Sequence, residues 1–163
     1  MKIVALCIVA LGSGGFGNLI AQAPDVVGTW KLVTASSTSA TGVRKENSFG
    51  TSPKGLLIHT REGRMTAIIS YSGRKPLSGA DRIASPPEEQ AAAFATFFAY
   101  GGRYSVTGNK ITHHVDVASV ENWVNTDLVR VVKIEGDRLT LITPPLSVGG
   151  KMQTAELVWE RIR

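Results

Sequence analysis

The sequence predicts an all-β protein, a closed antiparallel barrel of about 8–10 strands with one α-helix over one end. Three observations support this fold class. Short runs of apolar and β-branched residues recur along the 163-residue chain. Glycine-containing turns join most of these runs, and glycine supplies the positive φ that tight hairpins need. Closing such a meander into a barrel removes its edge strands.

The first 21 residues are typical of a secretory signal peptide rather than of a barrel strand. Lys2 gives a positive start, and Ile3–Leu11 form an unbroken apolar run. That run is shorter than the roughly 20 residues of a transmembrane helix. We expect cleavage after Ala21, or after Ala23. The expected product is an exported protein, periplasmic or secreted, with one barrel domain over residues 25–163 and no stable membrane insertion once the signal is removed.

Charge and cysteine content argue against several classes of protein. The 18 Lys and Arg residues outnumber the 13 Asp and Glu residues, but they are scattered along the chain. No nucleic-acid partner is therefore predicted. The one cysteine, Cys7, lies in the signal segment, so the mature chain has neither a disulfide nor a cysteine nucleophile. Residues 12–17 match a dinucleotide-binding motif, but no βαβ unit follows them. We predict no cofactor, and the oligomeric state stays open.

The strands are predicted from apolar runs bounded by turn residues. In chain order they are Thr29–Ala35, Gly55–Thr60, Met65–Tyr71, Arg103–Val106, Lys110–Ala118, Leu128–Ile134, Arg138–Thr143 and Gln153–Arg161.

One helix is predicted over residues 86–100, with Ser85 as its N-cap and Gly101 just beyond its last turn. Helical spacing then places Phe94, Phe97 and Phe98 on one face. That face either closes an open end of the barrel or forms the apolar ceiling of a ligand cavity.

Motifs along the mature chain carry a family resemblance. Gly28-Thr29-Trp30 opens the first strand, and Trp159-Glu160-Arg161 closes the last one. Lipocalins begin and end in this way, and in that fold the arginine stacks on the tryptophan across the closed end of the barrel. Further motifs lie between them in order: Pro53–Ile58, Glu62–Met65, Thr112–Val115, Asn122–Val124, Thr126-Asp127, Arg130 and Asp137–Leu141. The mature chain thus resembles the bacterial and fungal lipocalin-like domain family, which implies a small lipocalin-like barrel.

The chain departs from that family at two places. Glu121 and Asn125 stand where relatives usually have Pro and Gly, so we expect the loop around Trp123 to differ in shape. His59 stands where an aromatic residue is common, which predicts a more polar cavity mouth.

His113 is the first candidate for chemistry. Alternation along Lys110–Ala118 places Ile111, His113, Val115 and Val117 on the apolar face. An inward histidine is either a core residue with satisfied hydrogen bonds or a group that acts on a ligand. In the second case a neutral imidazole donates to a ligand carbonyl, or serves as general acid and base near pH 7.

Arg130 is the second candidate. It lies with Val132 and Ile134 on the richer apolar set of its strand, although both faces of that strand are apolar. An inward arginine needs a partner, because an unpaired buried charge costs several kcal/mol. Asp127, Glu121 or an anionic ligand are the candidate partners. The alternative is an arginine whose stem lies along apolar surface while its head reaches water at the barrel rim.

The register of one hairpin decides where His59 and Tyr71 point. A three-residue loop at Arg61–Gly63 with a glycine bulge pairs His59 with Met65 and turns both His59 and Tyr71 inward. A two-residue turn would send His59 to the opposite face. We favour the bulge.

No metal site is predicted. His113 and His114 are adjacent on a strand and face opposite ways, so the three histidines do not form a single site.

The predicted function is binding of a small, mostly apolar molecule inside the barrel. The predicted ligand contacts are His59, Tyr71, Phe97, Phe98, His113, Trp123 and Arg130. The alternative is a cofactor-independent isomerase or cyclase that acts on a small carbonyl-containing, polyketide- or terpenoid-like substrate, with His113 and Arg130 as its catalytic residues. A third reading is a barrel filled with side chains, which would have a structural role.

Overall fold

The computed structural model describes residues 24–163, and the predicted signal peptide lies outside them. In this part of the chain the strands are β1 (Gly28–Ser39), β2 (Arg44–Lys45), β3 (Lys54–His59), β4 (Arg64–Ser70), β5 (Phe97–Thr107), β6 (Lys110–Ala118), β7 (Asp127–Glu135), β8 (Arg138–Ile142), β9 (Leu146–Val148) and β10 (Lys151–Arg161). The helix α1 (Pro87–Ala95) lies between β4 and β5, and a 3-10 helix (Glu121–Trp123) lies between β6 and β7.

Eight of the described strands close into an antiparallel barrel. Hydrogen-bonded neighbours run β1, β3, β4, β5, β6, β7, β8 and β10, and β10 pairs back with β1. The short strands β2 and β9 pair with β1 and β10 respectively, outside this ring. The predicted fold class, a closed lipocalin-like barrel with one helix, is confirmed.

The hairpin between β3 and β4 has the bulged register that the sequence favours. His59 pairs with Met65, and the Thr60 amide donates to the Arg64 carbonyl at 2.8 Å. Gly63 has a φ of 77°, the left-handed conformation that the three-residue loop needs. His59 and Met65 are both buried. The inward set of this hairpin is therefore as predicted.

β6 keeps the predicted alternation only as far as Val115. Val115 is buried, whereas Val117 is 65% exposed. Gly102 pairs with Val115 and Gly101 pairs with Val117, so the residue between the two valines has no partner on β5. This bulge reverses the faces beyond it. The prediction that Val117 points inward is wrong.

The helix is shorter than predicted. α1 ends at Ala95, and residues 97–100 belong to β5. β5 pairs with β4 from Phe97 opposite Ser70 to Arg103 opposite Arg64. This pairing completes the backbone hydrogen bonds of β4, and aromatic residues favour strands, so the sheet outweighs the local helical pattern. The predicted helix over 86–100, and with it the shared helical face of Phe94, Phe97 and Phe98, is wrong beyond residue 95.

The start of α1 also differs from the prediction. Pro86 occupies the N-cap position, and Ser85 instead accepts a hydrogen bond from the Gly79 amide at 2.9 Å. No residue of α1 is buried. Neither helix in residues 24–163 has the length and hydrophobicity of a transmembrane span.

The end of the barrel where β1 begins is closed by an arginine stacked on a tryptophan. The guanidinium carbon of Arg161 lies 4.1 Å from the ring centroid of the fully buried Trp30. Arg161 also donates to the Val27 carbonyl at 2.6 Å. Gly28 has a φ of 142°, and a Cβ there would lie 2.5 Å from Arg161 Nη1. The stacking that the resemblance implied is confirmed.

Candidate functional site

The barrel interior is hollow. It holds a cavity of about 730 Å³, within the roughly 300–1,000 Å³ that is usual for ligand sites. Aliphatic side chains form much of its wall: Leu57, Ala67, Ile69, Leu128, Leu141 and Leu157. Eight aromatic side chains also line it: Phe49, Tyr71, Phe94, Phe97, Phe98, Tyr100, Trp123 and Trp159. The reading of a barrel filled with side chains is therefore wrong.

Aromatic rings give the cavity two kinds of surface. Phe49 and Tyr71 stack, with ring centroids 4.4 Å apart and planes at 18°. Trp123 meets Phe98 and Tyr100 edge to face, at centroid distances of 5.7 and 5.9 Å. Flat ring faces and positive ring edges both suit contacts with a planar unsaturated molecule.

Arg130 brings a positive charge to this wall. It is half-buried on β7 and lines the cavity. Its Nη1 donates to the neighbouring Val129 carbonyl at 2.7 Å. In residues 24–163, no carboxylate lies within 4.0 Å of its guanidinium. Asp127, one of the partners considered from the sequence, receives a hydrogen bond from His114 at 2.7 Å instead.

A chain of buried polar groups runs from Tyr100 away from the cavity. The Tyr100 hydroxyl lies 3.1 Å from Nδ1 of His113, and Nε2 of His113 lies 3.1 Å from Nε2 of His59. Arg130 lies near enough for its positive charge to lower the pKa of Tyr100, against the larger effect of burial, which raises it. Tyr100 thus connects the cavity wall to two histidines that do not line the cavity.

Burial keeps Tyr100, His113 and His59 uncharged. Loss of water lowers the pKa of His59 to about 4, against a smaller opposing effect of the Val26 backbone. Burial lowers the pKa of His113 well below its usual value, and the positive charge of Arg130 lowers it further. Burial raises the pKa of Tyr100. At pH 7 all three groups are neutral.

These three neutral side chains have two possible hydrogen-bond arrangements. One Nε2 atom of the histidine pair must carry a hydrogen and the other must accept it. When His113 carries it, His113 Nδ1 accepts from the Tyr100 hydroxyl. When His59 carries it, His113 Nδ1 donates to Tyr100, and the hydroxyl hydrogen is free to point elsewhere. Exchange between the two arrangements changes Tyr100 from an acceptor to a donor toward its surroundings.

The structure separates the predicted ligand residues into two groups. Those that line the cavity are Tyr71, Phe97, Phe98, Trp123 and Arg130. His59 and His113 are fully buried and are not part of the cavity wall. His59 pairs with Gly28 and Met65 toward the closed end of the barrel. The prediction that His59 makes the cavity mouth more polar is therefore wrong, and His113 meets the cavity only through Tyr100.

Sequence reasoning missed three polar groups in the cavity-lining residues. The predicted helix over 86–100 includes Tyr100, although the alternation of large and small residues in Phe98-Ala99-Tyr100-Gly101 is typical of a strand. The Ser48 hydroxyl and the Trp159 indole nitrogen are buried without a hydrogen-bond partner, and both residues line the cavity. No sequence pattern marks these two.

The two buried histidines do not amount to a metal site. A catalytic zinc site usually has three protein ligands. In the described part of the chain, no three His, Cys, Asp or Glu side chains are grouped closely enough to hold a metal ion.

Comparisons with known proteins identify the family of this chain. The lipocalin-like domain family matches residues 27–162. The 4'-hydroxy-3'-methoxypropiophenone carrier protein of Aspergillus oryzae is 32% identical over 107 residues, which cover 60% of this chain and 96% of the carrier protein. The chain is also similar to a lipocalin-like protein from Bacteroides uniformis, with a TM-score of 0.44 and 13% identity over 85% of this chain and 100% of that one. The family match spans nearly the whole described barrel, and the chain therefore belongs to the lipocalin-like domain family.

Proposed function

We propose that this protein is an exported binding protein that holds one small, mostly apolar molecule in its barrel. The observation that carries the proposal is the cavity of about 730 Å³ with an apolar wall and an inward arginine. Apolar walls supply affinity, and a few polar groups fix the orientation of the ligand. Arg130, Tyr100 and the unpaired Trp159 nitrogen are the polar groups in position to do so.

The carrier protein of Aspergillus oryzae supports this proposal. Its name gives its cargo as a propiophenone, an aromatic ketone with hydroxyl and methoxy substituents. A ligand of that kind has a planar ring and an oxygen acceptor. The first suits the aromatic wall around Trp123, and the second suits Arg130. We therefore propose a small aromatic or similarly flat ligand for this chain.

Titration with N-phenyl-1-naphthylamine tests for a binding cavity, since this neutral probe fluoresces in apolar surroundings. Ala67 lines the cavity, whereas its neighbour Thr66 faces outward on the same strand. We expect saturable binding to the wild type and to Thr66→Phe, and affinity reduced by about tenfold or more in Ala67→Phe. Binding that is not saturable, or that Ala67→Phe leaves unchanged, would contradict the proposal.

Export and natural cargo are tested with protein expressed at full length in a host with a periplasm. Intact mass spectrometry of the periplasmic fraction should show a chain that begins at residue 22 or 24. Native mass spectrometry of the same fraction should show a bound small molecule. A chain that keeps residue 1 and stays in the cytoplasm would contradict the export proposal and leave the binding proposal standing.

A cofactor-independent isomerase or cyclase is the second candidate function. The chain from Tyr100 to His113 and His59 supports it, because a hydroxyl backed by neutral imidazoles can move a proton at a ligand carbonyl. His113→Gln distinguishes the candidates once a co-purifying ligand is known. An enzyme loses turnover of that ligand by about 100-fold or more. A binding protein shows no turnover, and its affinity falls by only about threefold.

A further inference from the structure

We infer that the polar end of the ligand is an ionised oxygen, as in a carboxylate, phenolate or enolate, and that Arg130 binds it. This inference rests on the proposed binding function and names the chemical class of the ligand. Arg130 lies on the inward face of β7 between Leu128 and Val132, in the wall of a mostly apolar cavity. Its guanidinium stays charged and carries several N–H donors in a planar fork that matches an anionic oxygen pair.

No side chain in residues 24–163 neutralises this guanidinium. Its contact with the Val129 carbonyl uses one donor and brings no negative charge. Asp127 also lines the cavity, but its carboxylate is bound by His114 and is not within 4.0 Å of Arg130. Glu121 is exposed and is not part of the cavity wall.

The polar groups beside Arg130 do not serve as its counter-ion either. Burial raises the pKa of Tyr100, so this hydroxyl remains neutral at pH 7 despite the nearby arginine. His113 is uncharged for the same physical reason, since burial disfavours its cationic form. Arg130 is therefore a cation among apolar walls and neutral dipoles, where a charge is costly until an opposite charge pairs with it.

Lys45 is the competing cation. It also lines the cavity, but it is exposed on the short strand β2. Water solvates an exposed ammonium and weakens its attraction for an anion. The half-buried guanidinium of Arg130 has less water around it, so an anion gains more by binding there.

A pair of probes with nearly the same shape tests the charge directly. In 2-naphthoate the ring carries a carboxylate, and in methyl 2-naphthyl ketone a methyl group replaces the anionic oxygen. Isothermal titration calorimetry at pH 7.5 measures both affinities. We expect the wild type to bind 2-naphthoate at least about tenfold more tightly than the ketone. Arg130→Met should remove this preference, and Arg130→Lys should keep a reduced preference because it keeps the charge.

Lys45→Met is the matched control, since it removes a cavity-lining cation at the mouth. We expect it to leave the ratio of the two affinities within about twofold of the wild type. Three results would overturn this inference: equal affinities for the two probes in the wild type, a preference for 2-naphthoate that persists in Arg130→Met, or a preference that is lost in Lys45→Met. In each case, saturable binding of the ketone would still support the proposed function. Absence of saturable binding of either probe, together with absence of N-phenyl-1-naphthylamine binding, contradicts the proposed function itself.

Discussion

Two arginines of the barrel have opposite surroundings. Arg161, at the closed end, stacks on Trp30 at 4.1 Å and donates to the carbonyls of Val27 and Asp25, at 2.6 and 3.4 Å. Arg130, in the cavity wall, donates to one carbonyl, that of the preceding residue. The guanidinium of Arg161 thus has several partners at the closed end, whereas that of Arg130 has one partner in the cavity wall. Incomplete pairing of a strongly polar group is therefore the structural mark of the candidate site.

The halves of the barrel around these arginines differ in the same way. Trp30, His59 and His113 are packed into the closed half with almost no exposure. Phe98 and Trp123 in the cavity wall keep partly exposed surfaces. Burial of apolar area stabilises the fold, while apolar area left uncovered is available to a ligand. We expect side chains of the closed half to contribute more to the free energy of unfolding, and side chains of the open half to contribute more to ligand affinity.

Truncation of one tryptophan in each half gives the largest expected contrast. We expect Trp30→Ala to lower the free energy of unfolding by about 3–5 kcal/mol, since it removes a fully buried ring and the cation–π contact. Trp123→Ala should cost at most about 1.5 kcal/mol, because that ring borders an existing cavity. Urea denaturation at pH 7 measures both. Equal losses of unfolding free energy in the two variants would contradict the expectation that the closed half contributes more to stability.

Low pH should reduce the free energy of unfolding, because two histidines are buried in the closed half. The pKa of His59 is about 4 in the folded protein, against about 6.5 in an unfolded chain, and the pKa of His113 is lowered as well. Below pH 6.5 the unfolded chain then binds more protons than the folded one. The free energy of unfolding therefore falls as pH drops from about 6.5 to 4, by about 3 kcal/mol for His59 alone. Above pH 7 these groups add no pH dependence.

Urea denaturation at pH 7 and pH 4.5 checks this sign and its source. His59→Gln cannot be protonated, so we expect a smaller loss of stability between the two pH values than in the wild type, whatever its stability at pH 7. His114→Gln is the control, because His114 lies on the outer face of the same sheet. A pH dependence that His59→Gln leaves unchanged would show that His59 is not the buried neutral group.

The fold could be predicted from the sequence because its signals are local. Gly63 has the left-handed conformation that sets the β3–β4 register, and Gly28 makes room for Arg161. The predicted end of the helix was wrong because residues 97–100 pair with β4, which lies outside that segment. β4 needs a neighbouring strand over residues 97–100, and no window around those residues contains that information.

The site could be predicted only in part, since barrel closure assembles it from distant strands. His59, Tyr100, His113 and Arg130 come from β3, β5, β6 and β7. Alternation identified the inward side of β6 as far as Val115, but it left the direction of Arg130 open because both faces of β7 are apolar. No single strand shows which inward residues touch. The bulge opposite Gly101 and Gly102 adds a change of face that alternation alone does not predict.

Replacement of each arginine by methionine should give the smallest effects and the most direct test of the comparison between them. Methionine keeps an unbranched apolar stem and removes the charge. Arg161→Met loses the stacking on Trp30 and the donors to two carbonyls, so we expect it to cost about 1–3 kcal/mol.

Arg130→Met loses one hydrogen bond to a neighbouring carbonyl and relieves an unpaired charge, so we expect a change within about 0.5 kcal/mol or a slight stabilisation. Urea denaturation at pH 7, without added ligand, compares both variants with the wild type. A loss of more than about 1 kcal/mol in Arg130→Met would show that Arg130 has a structural partner after all. The unpaired cation would then no longer distinguish the cavity wall from the closed end, because both arginines would be serving the fold.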